Sequence, residues 1–221
     1  MRRFVAIPAA LILLLLGVTG VAAYVLWGWF NTSAIDTDAN GQADLSVCYD
    51  VSTNSPIYVN RGQIAQEIAQ WHTASVGAFS SNAICNNDGS NFEMRQFDWG
   101  GCEPGAGTYA RTQNFGDVGR SQVKIWFNPQ CIDDFDWYDT DGIDAGKISG
   151  LANALHEVGH ALGLEHSNVV NAVMDDLGPN NCSFVGNDFR LAFDDADGYR
   201  DRYPGISDTT TAFPADTGCD P

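Results

Sequence analysis

Hydrophobic and polar positions divide this chain into an apolar start, a mixed middle and a polar end. Behind Arg2 and Arg3, residues 4–30 form an uncharged, mostly apolar run. It exceeds the roughly 7–15 apolar residues of a secretory leader core and is long enough to span a bilayer. Two readings stay open for residues 1–30. One is a retained anchor, with the arginines inside and Trp27 and Trp29 at the outer interface. The other is a cleaved leader, with Leu11 to Leu16 as its core and Ala22 and Ala23 at the cleavage point. Either reading delivers the remainder outside the cytoplasm, secreted or anchored to the membrane.

Residues 31–44 are small and polar, a short linker. "LSVCYDV" (45–51) alternates apolar and polar positions and predicts a half-buried strand. In "GQIAQEIAQWHTAS", Ile64, Ile68, Trp71 and Ser75 recur at helical spacing, and His72 lies beside that stripe. Residues 80–107 are rich in Asn, Gly and Asp and predict a long loop with at most one strand, near "FEMRQF". "GTYARTQ" (107–113) and "VKIWFN" (123–128) predict two further strands, followed by the acidic loop "PQCIDDFDWYDTDGIDAGK". Helical periodicity returns through Ile148, Leu151, Ala152, Leu155 and Leu162. A shorter helix is predicted near 194–203, where Asp194 and Asp195 suit the positive end of the helix dipole. The tail, 205–221, has no core-forming pattern.

Composition narrows the function classes. A formal net charge of −17 repels phosphate backbones and argues against nucleic-acid binding. The six cysteines (Cys48, Cys85, Cys102, Cys131, Cys182 and Cys219) include no C-x-x-C pair. In an exported chain such a scattered, even set reads as disulfides, with fifteen connectivities open.

The chemistry concentrates in "HEVGHALGLEH", which holds His156, His160 and His166, three of the chain's four histidines. Residues four apart on a helix stand on one face, so His156 and His160 present two imidazoles to one point, as a zinc ion requires. Glu157 lies one position on, about 100° round the helix, turned away from ligation but able to reach a metal-held water. Gly163 is placed to end the helix in a left-handed conformation, so that the chain turns and His166 returns as third ligand. Three histidines leave a position open on the metal, the mark of a catalytic site. Zinc brings the pKa of its bound water to about 7, Glu157 takes the proton and passes it to the leaving amine, and the metal stabilises the oxyanion.

With Gly163 and His166 in place, the motif H-E-x-x-H-x-x-G-x-x-H resembles that of the metzincin zinc proteases. Met174, Ser167 and "LAFDDADGYRDRYP" (191–204) resemble their matrixin branch, the matrix metalloproteinase catalytic domains of peptidase family M10. The helix around Ile64 to Trp71 and "GTYA" resemble the matrixin first helix and edge strand. The likeness covers about 45–204 and is strongest from 148 onward. It implies an α+β fold with a twisted, mainly parallel sheet, an active-site helix and a C-terminal helix, supported by disulfides. It also implies one catalytic zinc on His156, His160 and His166, with Glu157 as base and Met174 as the hydrophobic floor. The substrate, a protein or peptide, would lie extended along "GTYAR" as an added strand. Residues between Met174 and Phe189 would wall the pocket beyond the scissile bond.

Three departures from the family stand out. No histidine lies between His72 and His156, so the second, structural zinc is expected to be missing. Cys85 and Cys102 flank the same loop, and a disulfide there could fasten it instead. No "PRCGxPD"-like segment precedes the domain, no hemopexin-like repeats follow, and Cys48 reads as structural. Matrixins usually carry calcium, and Asp98, Asp133, Asp134, Asp136, Asp139, Asp141 and Asp144 offer hard oxygen ligands for Ca2+. The function so implied is extracytoplasmic zinc-dependent endopeptidase. Its rivals are a zinc-bound, non-catalytic binding or adhesion module and a zinc hydrolase of non-peptide amides.

Overall fold

A computed structural model describes residues 39, 43–74, 79–82, 84–85, 92–98, 100, 109–114, 123–137, 147–169, 172–175 and 191–204. The leader or anchor, most of the linker, the tail, and the loop after Asp175 that was expected to wall the pocket lie outside these residues. So do Cys102, Cys182, Cys219, Asp139, Asp141 and Asp144, and the side chains of His72, Asp133 and Asp134. Among the described residues, no helix is long and apolar enough to cross a membrane.

The fold is α+β. Strands β1 (Leu45–Asp50), β2 (Phe79–Asn82), β3 (Phe92–Gln96), β4 (Ala110–Asn114) and β5 (Val123–Phe127) form one sheet in the order β2-β1-β3-β5-β4. The pairings β1–β2, β1–β3 and β3–β5 are parallel, and β4–β5 is antiparallel. A short connection explains the exception: residues 115–122 are too few for the crossover of a dozen or so that a parallel return needs. β4 therefore lies at the sheet edge, running against its neighbour.

The helices are α1 (Pro56–Val59), α2 (Arg61–Ala74), α3 (Gly150–Ala161) and α4 (Phe193–Arg202). A 3-10 helix (Pro129–Asp134) and the two-residue parallel strands β6 (Phe135–Asp136) and β7 (Ile148–Ser149) fill the approach to α3. The helical stripe read from sequence is the buried face of α2: Ile64, Ile68 and Trp71 are fully enclosed. α3 packs against α2 and against β4 and β5, so it is buried on nearly every side. In β5 the alternation is plain, with Val123, Ile125 and Phe127 in the core and Lys124 and Trp126 on the other face. On that face Phe97 meets Trp126 edge-on and the Arg95 guanidinium lies 5.7 Å from its ring.

Two expectations need correction. The stretch from 80 was read as loop up to "FEMRQF", yet β2 pairs with β1. Its sequence, FSSN, has little apolar alternation, and tertiary pairing at a sheet edge overrides that weak local signal. The second concerns Cys85, which bonds to Cys48 and not to Cys102. Parallel pairing of β1 with β2 explains this, since Cys48 stands opposite Asn82 and the chain leaving β2 passes beside it. The Cys85 amide also donates to the Tyr49 carbonyl at 3.3 Å. Cys48 is structural, as read, and Cys131 is disulfide-bonded as well.

Candidate active site

α3 begins at Ser149, whose Oγ accepts the Ala152 amide at 3.1 Å, and carries His156, Glu157 and His160 along its second half. It stops at Gly163, whose φ of 94° is the left-handed conformation expected of it. The Gly163 amide donates to the His160 carbonyl at 2.9 Å and the Leu164 amide to the Gly159 carbonyl at 3.1 Å. This pair of bonds is the Schellman arrangement, and the buried Leu164 supplies its apolar contact. The last turn is also held from the residue that ends α4, Tyr203, whose hydroxyl donates to the Leu162 carbonyl at 3.0 Å.

The turn delivers His166 to the other two histidines. Ligand atoms of His156, His160 and His166 all lie within 4.8 Å of one another, and these three could hold a metal ion. Two backbone carbonyls set the rings: His156 Nδ1 lies 2.6 Å from the Val173 oxygen and His160 Nδ1 lies 2.8 Å from the Leu164 oxygen. A carbonyl only accepts, so Nδ1 carries the proton in both rings and Nε2 keeps its lone pair. His160 Nε2 and His166 Nε2 are 3.1 Å apart. Two nitrogens on one tetrahedral zinc, each about 2.0–2.1 Å from it, stand roughly 3.3 Å apart. The donor set therefore fits zinc.

Burial tunes the same groups. It lowers His156 to about 4, against the Val173 hydrogen bond, with a smaller push from the charge of His166. It lowers His160 to about 3, helped by His156. Both rings are neutral at neutral pH, the form that ligates metal. Glu157 is enclosed, and desolvation raises its carboxyl to about 7, opposed by hydrogen bonds from Thr112.

Met174 packs against the helix at Gly159, at 1 % exposure. Gly159 makes room for it: a Cβ at that position would overlap the Met174 sulfur and come 2.9 Å from Trp71 Cζ2. The Trp71 indole in turn donates to the Leu155 carbonyl at 2.9 Å. The segment carrying Met174 is anchored by Asp195, whose carboxylate accepts the amides of Val173 at 2.8 Å, Met174 at 3.0 Å and Ala192 at 2.8 Å. Burial raises Asp195 to about 7 against these three donors. Its neighbour Asp194 accepts the Ser167 hydroxyl at 2.6 Å, and the Ser167 amide reaches the Met174 carbonyl at 2.6 Å.

The structure brings His156, His160 and His166 together, and it buries Glu157 on the same helix and Met174 against it. The sequence reading gave Asp194 and Asp195 only a helix-dipole role, whereas they tie α4 to the turns around the site. Thr112 and Gly159 were missed. Gly159 had a signal, since a glycine inside a helix is costly unless a neighbour needs the space; Thr112 had none. For calcium, no second group of three or more candidate ligands forms among the described residues. Asp98 accepts from the Gly100 amide at 2.9 Å and the Gln130 side chain at 2.8 Å.

Residues 105–204 match the family model described as matrixin, Peptidase_M10. Among curated proteins, none is similar enough to count as a match.

Proposed function

From the premise that residues 105–204 are a matrixin-like catalytic domain, we propose that this protein is an extracytoplasmic zinc-dependent endopeptidase. A matrixin domain points to a zinc metalloprotease. The single observation that carries the finer reading is the convergence of three histidines, two of them fixed by backbone carbonyls, beside the enclosed carboxyl of Glu157.

In this reading His156, His160 and His166 hold one zinc ion through Nε2. When bound, zinc would supply an acidified water and polarise the substrate carbonyl. Glu157 accepts a proton at its carboxylate and returns it to the departing amine, a cycle suited to a group near neutrality. β4, at the sheet edge, offers backbone donors and acceptors to an extended peptide chain. Residues 45–204 make up the catalytic domain, with 1–30 as leader or anchor, 31–44 as linker and 205–221 as tail. The Cys48–Cys85 bridge supports an oxidising compartment. Calcium on the acidic loop stays a family-based proposal without named ligands.

The test is to incubate the purified protein with a diverse peptide mixture, with and without chelator, and to read new termini by mass spectrometry. New termini should appear only without chelator. Glu157→Ala should keep near-normal zinc content while hydrolysis falls by about 10²–10⁴-fold or more. Activity retained in that variant at full zinc content would sink the mechanism. Zinc binding without any cleavage would favour a binding module, and cleavage of non-peptide amides alone would favour the other hydrolase.

A further inference from the structure

Thr112 stands on β4 where the strand faces α3, and its hydroxyl meets the same residue twice. Oγ1 lies 2.8 Å from the Glu157 carbonyl oxygen and 2.7 Å from Glu157 Oε2. Nothing in metal ligation requires this contact, since Thr112 touches no histidine in these bonds. We propose that Thr112 is a positioning residue for Glu157, holding one carboxylate oxygen so that the other is directed to its task. The proposal rests on the endopeptidase reading, and it deepens that reading by tying the base to the strand expected to receive the substrate.

The geometry suits such a role. Thr112 pairs with Ile125 in the antiparallel ladder, and Ile125 is fully buried, so the backbone under the hydroxyl is fixed to the sheet. A β-branched side chain has little freedom at χ1, which fixes Oγ1 as well. Glu157, by contrast, has three side-chain torsions to restrain. A hydroxyl both donates and accepts, so the contact with Oε2 persists whichever partner carries the proton, while the Glu157 carbonyl offers a second acceptor. Base and substrate strand are thereby indexed to one another across β4. Misplacement of a reacting group by about 1 Å can cost on the order of 100-fold in rate.

The experiment compares Thr112→Val and Thr112→Ser in the zinc-loaded protein, on a peptide that the wild type cleaves. Thr112→Val should bind one zinc per chain, keep KM within twofold and lose at least tenfold in kcat. Thr112→Ser, which restores the hydroxyl, should recover kcat to within threefold of wild type. Thr112→Ala repeats the comparison with no methyl groups to accommodate, should the valine variant fold poorly. In a Glu157→Ala background, Thr112→Val should cost nothing further, because the group it positions is gone. A kcat within threefold of wild type in both the valine and alanine variants would overturn the proposal. So would a loss that serine fails to restore, or an equal fractional loss in the Glu157→Ala background. A wild type with no chelator-sensitive cleavage overturns the endopeptidase reading and this role together, whereas an active wild type with silent Thr112 variants overturns this role alone.

Discussion

Replacing Gly159 by alanine sets two effects of opposite sign against each other. Alanine is favoured over glycine inside a helix by about 1 kcal/mol. Against that, the new Cβ would overlap the Met174 sulfur and lie 2.9 Å from Trp71 Cζ2 and 3.2 Å from Met174 Cε. A thioether swings aside easily in open space, but Met174 is 1 % exposed and its backbone is pinned by Asp195. Nor can the Trp71 ring recede: its N–H is bonded to Leu155 and its face tilts against Tyr199 at 6.0 Å. Overpacking of this kind costs about 1–3 kcal/mol. The overlap should therefore outweigh the propensity gain, for a net loss of about 1 kcal/mol. Gly62 provides the control, because a Cβ there meets nothing within 4 Å and Gly62→Ala should stabilise by up to about 1 kcal/mol. In a chain of this size each kcal/mol shifts Tm by roughly 2–4 °C. Thermal unfolding followed by circular dichroism, on chelator-stripped protein so that metal binding does not add to stability, should move the two variants in opposite directions. A Gly159→Ala protein that melts at or above the wild type would refute the packing argument.

Gly163→Val should weaken zinc binding, because a branched side chain in the left-handed region costs at least about 1–2 kcal/mol and continuing the helix instead carries His166 away from the site. Titration of zinc into stripped protein, with Ala161→Gly as control, checks this; equal affinities would contradict it. Protons provide a separate test. His156 and His160 have folded pKa values below their unfolded 6.5, so each contributes stability above that pH and loses it as pH falls toward 4 or 3. Glu157 and Asp195 have folded values raised to about 7, so each contributes stability at low pH and loses it as pH rises toward 7. Between about pH 5 and 6.5 the two pairs offset one another, and the stripped wild type should vary little. His160→Gln removes one of the opposing slopes, so its stability should fall by about 1.4 kcal/mol per pH unit as pH rises through that window. Urea midpoints that run parallel to the wild type's would count against this assignment.

The site was legible where one element carries its own geometry. The spacing of His156, His160, Gly163 and His166 encodes a helix, a stop and a return, and the structure follows it residue by residue. Strands β1, β3 and β5 were visible because they bury apolar side chains in sequence-local patterns. β2 was hidden, since a polar edge segment becomes a strand only through its neighbour. Thr112 was hidden for a related reason: its bond to Glu157 spans 45 positions, and one threonine in a strand has no local mark of what lies across from it. Asp195 showed as a helix-start residue, but its hold on Val173 and Met174 depends on how α4 docks.

That docking gives the order of synthesis a consequence. A growing chain that has reached Asp175 already contains His156, His160, His166 and Met174. It still lacks the carboxylate that receives the Val173 and Met174 amides and the hydroxyl that meets the Leu162 carbonyl. The carbonyl that orients His156 belongs to Val173, so that ring has a fixed support only once Asp195 has arrived. His156 thus leaves the ribosome well before the residue that fixes its support, whereas His160 meets its own partner, Leu164, four residues later. A chain released before Asp195 carries all three histidines without the carboxylate that fixes the Val173 support of His156.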